Sequence, residues 1–134
     1  MKKLLIYILF VFSLTAAAQE NRDSICENTP IEKLTFYKEN VHASYYHDKF
    51  NGKKTASGTR FNNNQLTAAH KKFPFGTLLK ITNPKNNKSV IVKVTDRGPF
   101  IKGREIDLTK KAFMDIATNK GSGLVIVKIE VIEN

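Results

Sequence analysis

Asp96-Arg97-Gly98-Pro99-Phe100, an aspartate followed at once by a forced turn, is the segment of this sequence best suited to chemistry. The residues before it, Lys88 to Thr95, alternate as a strand does, so Asp96 falls at a strand end and Gly98-Pro99 turns the chain away. A carboxylate presented beside such a turn is placed for acid/base work. The same residues also fit a plainer role, in which Asp96 pairs with Arg97 or caps the turn. His70 closes the stretch Leu66 to His70 and precedes the turn Pro74-Phe75-Gly76, which makes it a second candidate. His42 and His47 flank Tyr45-Tyr46, and that group could offer a stacking surface to a sugar ring.

Other chemistries find no residues to carry them. The three histidines have no tight spacing and no H-E-x-x-H pattern, so no metal site is expected. Cys26 is the sole cysteine, which excludes an internal disulfide and a multi-thiolate metal site. There is no glycine-rich phosphate loop and no G-x-S-x-G elbow, and no cofactor is expected.

The elements that must position these residues are mostly short strands. Asn51-Gly52 and Ser57-Gly58 mark turns between Val41–Tyr46 and Leu66–His70. Gly76 to Thr82 and Lys88 to Thr95 form a hairpin around Asn83-Pro84-Lys85-Asn86-Asn87, with Val90, Val92 and Val94 on one face. Gly123 to Ile132 alternates as a further strand. Between them lies one helix, with Thr109 as N-cap, Ala112, Phe113 and Ile116 on one face, and Asn119-Lys120-Gly121 at its end. Many short strands with a lone helix predict a small, mainly β barrel.

The chain has 134 residues, enough for one domain, and at 41% hydrophobic and 25% charged its composition is that of a globular protein. Lys2-Lys3, the apolar run Leu4 to Leu14 and Ala16-Ala17-Ala18 have the three parts of a signal peptide, with cleavage after Ala18. The run is shorter than the roughly 20 residues of a stable membrane anchor. Residues 19–40 read as a polar lead segment, and residues 41–133 as the barrel. Asp23-Ser24-Ile25 does not suit lipid attachment at Cys26, so no stable anchor is expected. The formal charge is +10; losing Lys2 and Lys3 from the 22 basic residues leaves 20 against 12 acidic ones, or +8. A basic protein outside the cytoplasm meets acidic wall polymers, although solvated lysines that only maintain solubility fit the same count. No motif for base stacking or groove insertion accompanies the charge, so nucleic acid is not an expected partner.

Six segments then occur in a telling order: Ala43-Ser44-Tyr45-Tyr46, Thr55-Ala56-Ser57-Gly58, Leu66 to His70, Pro74-Phe75-Gly76-Thr77, Asp96 to Phe100, and Arg104 to Thr109. Together they resemble the rare lipoprotein A family from about Val41 to Ile132. The resemblance implies a six-stranded double-psi β-barrel, a fold shared with expansins and barwin-like proteins. It also implies an endolytic lytic transglycosylase of peptidoglycan, exported to the periplasm or cell envelope, that leaves 1,6-anhydro ends. On that reading Asp96 and His70 are catalytic and face one groove, while Thr59, Tyr45, Tyr46 and Arg97 contact the glycan strand.

Two departures from the family pattern stand out. The family motif reads T-A-N/S-G-E, and its glutamate position is Thr59 here. A threonine cannot serve as a carboxylate base. Either Asp96 suffices, with His70 and Thr59 positioning the sugar, or the domain is a non-catalytic, expansin-like binder of wall glycan. The family's C-terminal sporulation-related repeat has no counterpart before Asn134. Arg104 and Asp107 also match family positions, and for them a structural role is expected, with Asp107 serving the helix start or pairing with arginine.

Overall fold

The computed structural model describes residues 32–133, so the expected signal segment and Cys26 lie outside the described residues. Six strands, β1 (Lys33–Tyr45), β2 (Thr67–Ala69), β3 (Leu78–Asn83), β4 (Lys88–Asp96), β5 (Arg104–Leu108) and β6 (Leu124–Glu133), and one helix, α1 (Lys110–Ile116), make up the regular structure. A single 3-10 turn, Asp48–Phe50, follows β1. The strands close into a barrel in the order β1-β5-β2-β4-β3-β6. β1 pairs with β5, and β2 with β4, in parallel; the other four pairings are antiparallel. This is the six-stranded double-psi β-barrel.

Alternation is what the barrel reads from the sequence. Val90, Val92 and Val94 all point inward and are buried, while Ile91 and Lys93 between them face out. Leu79 and Ile81 of β3 and Val127 and Ile129 of β6 fill the same interior. The β3–β4 turn is locked locally: Asn83 Oδ1 accepts from the Lys85 amide, and Asn87 takes a left-handed φ of 57°.

The lead segment expected through Asn40 is shorter than read, because β1 begins at Lys33. Lys33, Leu34, Thr35 and Phe36 pair with Glu133, Ile132, Val131 and Glu130 of β6. Most side chains from Lys33 to Asn40 remain exposed, so the segment looks polar although its backbone is in the sheet. Irregularities between Phe36 and Lys38 and between Lys38 and Val41, with Asn40 at φ 54°, also break the period-two pattern.

The helix is likewise shorter than expected, ending at Ile116 rather than near Asn119–Gly121. Asn83 Nδ2 and Asn86 Nδ2 both donate to the Ile116 carbonyl, so the β3–β4 turn terminates it. At its start Thr109 holds the N-cap position, but its hydroxyl donates to the Gln65 carbonyl. Asn63 does the capping: its Oδ1 accepts from the Lys110 amide at 2.9 Å, and its carbonyl from Lys111 at 3.1 Å. Phe113, fully buried, plugs the barrel side from this helix.

Candidate active site

The barrel's pairing sets four residues side by side across four strands. Ser44 on β1 is the partner of Asp107 on β5, Asp107 of Ala69 on β2, and Ala69 of Asp96 on β4. Two carboxylates thus flank one buried alanine in register. Asp107 is buried, accepts from the Ser44 hydroxyl, and lies 3.4 Å from Arg104 Nη2. It pairs with arginine as expected, but it does not serve the helix start, which Asn63 already satisfies.

Asp96 is held by three donors. Its Oδ1 accepts from the amides of Ala56 and Arg97, each at 2.9 Å, and its Oδ2 accepts from the Tyr46 hydroxyl at 2.8 Å. Burial first, then the bond to Asp96 and the charges of Asp96 and Asp107, push the Tyr46 phenol well above its ordinary range. Tyr46 therefore stays protonated and donates. Phe50 and Phe61 pack against its ring and fix its direction.

Ala56 reaches Asp96 because the Thr55–Gly58 turn docks on the end of β4. The Ser57 amide donates to the Thr95 carbonyl, and the Thr55 amide to that of Thr59. Gly58, at φ 91°, supplies the left-handed residue that closes the turn. The hydroxyls of Thr55, Ser57 and Thr59 lie 2.9–3.1 Å from one another. Thr59 is exposed, in the turn whose Ala56 amide holds the carboxylate.

Arg97 turns away from Asp96. Its Nη1 donates to the carbonyls of His70 and Phe73, at 3.2 and 2.8 Å, and its guanidinium lies 4.0 Å over the Phe75 ring. His70 is joined to Asp96 only through the backbone, its amide donating to the Asp96 carbonyl at 3.2 Å. The imidazole is buried and bonds elsewhere. Nδ1 accepts from the Lys72 amide at 3.1 Å, so Nε2 carries the proton and meets Glu105 Oε1 at 3.2 Å. Burial, opposed by Glu105, holds His70 below its ordinary pKa. Glu105 also receives the Tyr37 hydroxyl and Lys38 Nζ. Burial works to raise its pKa, but Lys38, Tyr37 and His70 together keep it below the ordinary value.

Three expectations need correction, and the first is His70: its imidazole, expected to face one groove with Asp96, is buried and bonded to Glu105. Tyr45 does not join Tyr46 at the mouth; it packs against Phe113 of α1 with ring centroids 4.7 Å apart. Adjacent strand residues point to opposite sides, so only one of the two tyrosines could face Asp96. His47 accepts from the Lys49 amide and caps the 3-10 turn, and His42 lies on β1 opposite Ile126, so neither stacks with Tyr46. Glu105 and Tyr37 were missed: they meet His70 only because strand pairing joins positions far apart in the chain.

A closed six-stranded barrel with β1–β5 and β2–β4 in parallel defines the double-psi class, and here it carries a carboxylate bonded to a phenol at the end of β4. Residues 38–129 match the lytic transglycolase family, and the chain belongs to it. It is 52% identical over 101 residues to the endolytic peptidoglycan transglycosylase RlpA of Rickettsia felis, covering 73% of this chain and 44% of that protein. Identity to the protein of the same name from Pasteurella multocida is 50% over 91 residues, covering 68% and 31%. The chain thus spans less than half the length of these relatives. Among solved structures, an expansin from Clavibacter michiganensis in complex with cellohexaose aligns with a TM-score of 0.57 at 17% identity, covering 75% of this chain and 51% of that one. The Streptomyces papain inhibitor aligns with the same TM-score at 22% identity, covering 78% and 98%. These likenesses are of fold alone.

Proposed function

We propose that this domain is an endolytic peptidoglycan lytic transglycosylase, cutting between N-acetylmuramic acid and N-acetylglucosamine. The observation that carries the reading is Asp96, with Oδ1 filled by two amides and Oδ2 bonded, among the described residues, to Tyr46 alone. Family membership and the names of the relatives support it. In the reaction, the 6-hydroxyl oxygen of the muramic sugar bonds to its own anomeric carbon. The bond from that carbon to the leaving oxygen breaks with its electron pair. One proton goes to the leaving oxygen and one departs the 6-hydroxyl, so no water is consumed. Asp96 must enter the reaction protonated at Oδ2; it then gives that proton to the leaving oxygen and takes the one from the 6-hydroxyl, ending protonated as it began.

Tyr46 orients that oxygen and Thr59 contacts the sugar; Arg97, expected there too, is committed instead to the His70 and Phe73 carbonyls and the Phe75 ring. His70 acts as a positioning residue: its Nδ1 fixes the loop after β2, and that loop anchors Arg97. Residues 1–18 direct export to the cell envelope, and Cys26 carries no lipid. N-terminal sequencing of the exported protein tests this, since a chain starting at a lipidated Cys26 contradicts it.

Incubation with purified peptidoglycan, followed by mass spectrometry of the soluble products, tests the activity. Anhydro-muropeptides are the expected result. One observation favours a second reading: Thr59 brings a hydroxyl, not a carboxylate, to the turn beside Asp96. A non-catalytic, expansin-like glycan binder would be pulled down tightly with peptidoglycan and release nothing.

A further inference from the structure

Beside the mouth lies a depression of about 310 Å³, formed where β1 bulges and the chain turns into β5. Asn40, at φ 54°, makes one lip, and Gly103, at φ 90°, the other. Lys71, Lys102 and Arg104 line it against one acid, Glu105, whose carboxylate already holds Lys38, Tyr37 and His70. Among the described residues, Lys71 and Lys102 make no ion pair. Among the described residues Arg104 makes one ion pair, to Asp107 at 3.4 Å, and its Nε is buried without a hydrogen-bond partner. The depression therefore carries uncompensated positive charge, and Arg104 ties it directly to the Asp107–Ala69–Asp96 row.

We infer that this depression is an anion subsite that receives a carboxylate of the glycan strand while the sugar chain lies over Asp96. The inference rests on the proposed function for its ligand, because wall glycan carries carboxylates in one of two forms: the free lactyl group of a peptide-free muramic acid or, where that group is bound as an amide to a peptide, the carboxylates of the peptide. Both present the same chemistry to two ammonium groups and a guanidinium. The subsite would set the register of the strand, since a carboxylate seated there fixes which glycosidic bond reaches Asp96.

The test measures binding at low salt in an Asp96→Asn background, so that no strand is cut. Three ligands are compared: an N-acetylglucosamine oligomer with no carboxylate, a peptide-free glycan strand, and a peptide-bearing strand. Lys71→Gln/Lys102→Gln should weaken binding of the carboxylate-bearing strands about fivefold, as two exposed ion pairs allow, and leave the neutral oligomer unchanged. A loss with the peptide-free strand alone assigns the free lactyl carboxylate, a loss with the peptide-bearing strand alone assigns the peptide carboxylates, and a loss with both shows that the subsite accepts either. A control pair, Lys85→Gln/Lys88→Gln, removes equal charge from the β3–β4 turn and should change nothing. Equal weakening by the control, equal weakening for the neutral oligomer, or no weakening at all overturns the subsite. Anhydro-product release by the wild-type protein alongside such a result would leave the proposed function standing. Binding of none of the three ligands would remove both.

Discussion

The imidazole of His70 donates from Nε2 to Glu105, 3.2 Å away, while its own backbone amide bonds the Asp96 carbonyl. One residue thus touches two networks, the mouth carboxylate through its main chain and a buried cluster through its ring. Replacements of His70 act on the site from behind rather than at the reacting atoms.

Asp96→Asn keeps the shape and most hydrogen bonds of the side chain but cannot cycle a proton at Oδ2. The fold and glycan binding should survive, and anhydro-product release should fall by about 10²–10⁴. A folded variant that releases product at the wild-type rate removes Asp96 from the mechanism.

Tyr46→Phe deletes one hydroxyl from a ring still packed by Phe50 and Phe61. Loss of one hydrogen bond predicts about 1 kcal/mol of destabilisation. If the phenol orients Oδ2 during the reaction, turnover should drop roughly tenfold, which corresponds to a similar energy. Unchanged kcat with the lowered stability would confine Tyr46 to a structural part.

Thr59→Glu places a carboxylate on the exposed turn that holds Asp96 through the Ala56 amide. Turnover should rise, because a second group can then share the proton transfers. Product counts from one peptidoglycan preparation compare the two proteins directly, and a fall in turnover speaks against the arrangement.

The fourth prediction concerns acid stability. His70 sits below its ordinary 6.5, chiefly through burial. As pH falls through that value the unfolded chain takes up a proton that the folded protein refuses, so stability should decline until the folded pKa is passed. Glu105, held below its ordinary 4.5, adds loss in the same direction at lower pH. Melting temperatures followed downward from neutral pH should show a shallower decline for His70→Gln than for wild type. Equal slopes would mean that the imidazole is not the titrating group.

The parts legible in the sequence are those where one strand face is dry and the other wet. β4 and β6 alternate cleanly for that reason, and Asp96 was found because a strand and a turn bracket it. The first eight residues of β1 gave no such signal, since their backbone pairs with β6 while their side chains stay in water. Period two should have separated Tyr45 from Tyr46. Nothing local could have joined Glu105 to His70, because only the register of β5, β2 and β1 brings them together.

The pairing of Lys33 with Glu133 places the first and last strand residues one strand spacing apart, with an ion pair at 3.6 Å across them. A short linker could therefore join β6 back to β1, and the chain could be reopened in the exposed segment between Lys120 and Gly121. Such a circular permutant would retain every pairing around Asp96, because β1, β5, β2 and β4 keep their neighbours. The site belongs to the closed ring of strands, and the order in which the chain visits them is interchangeable.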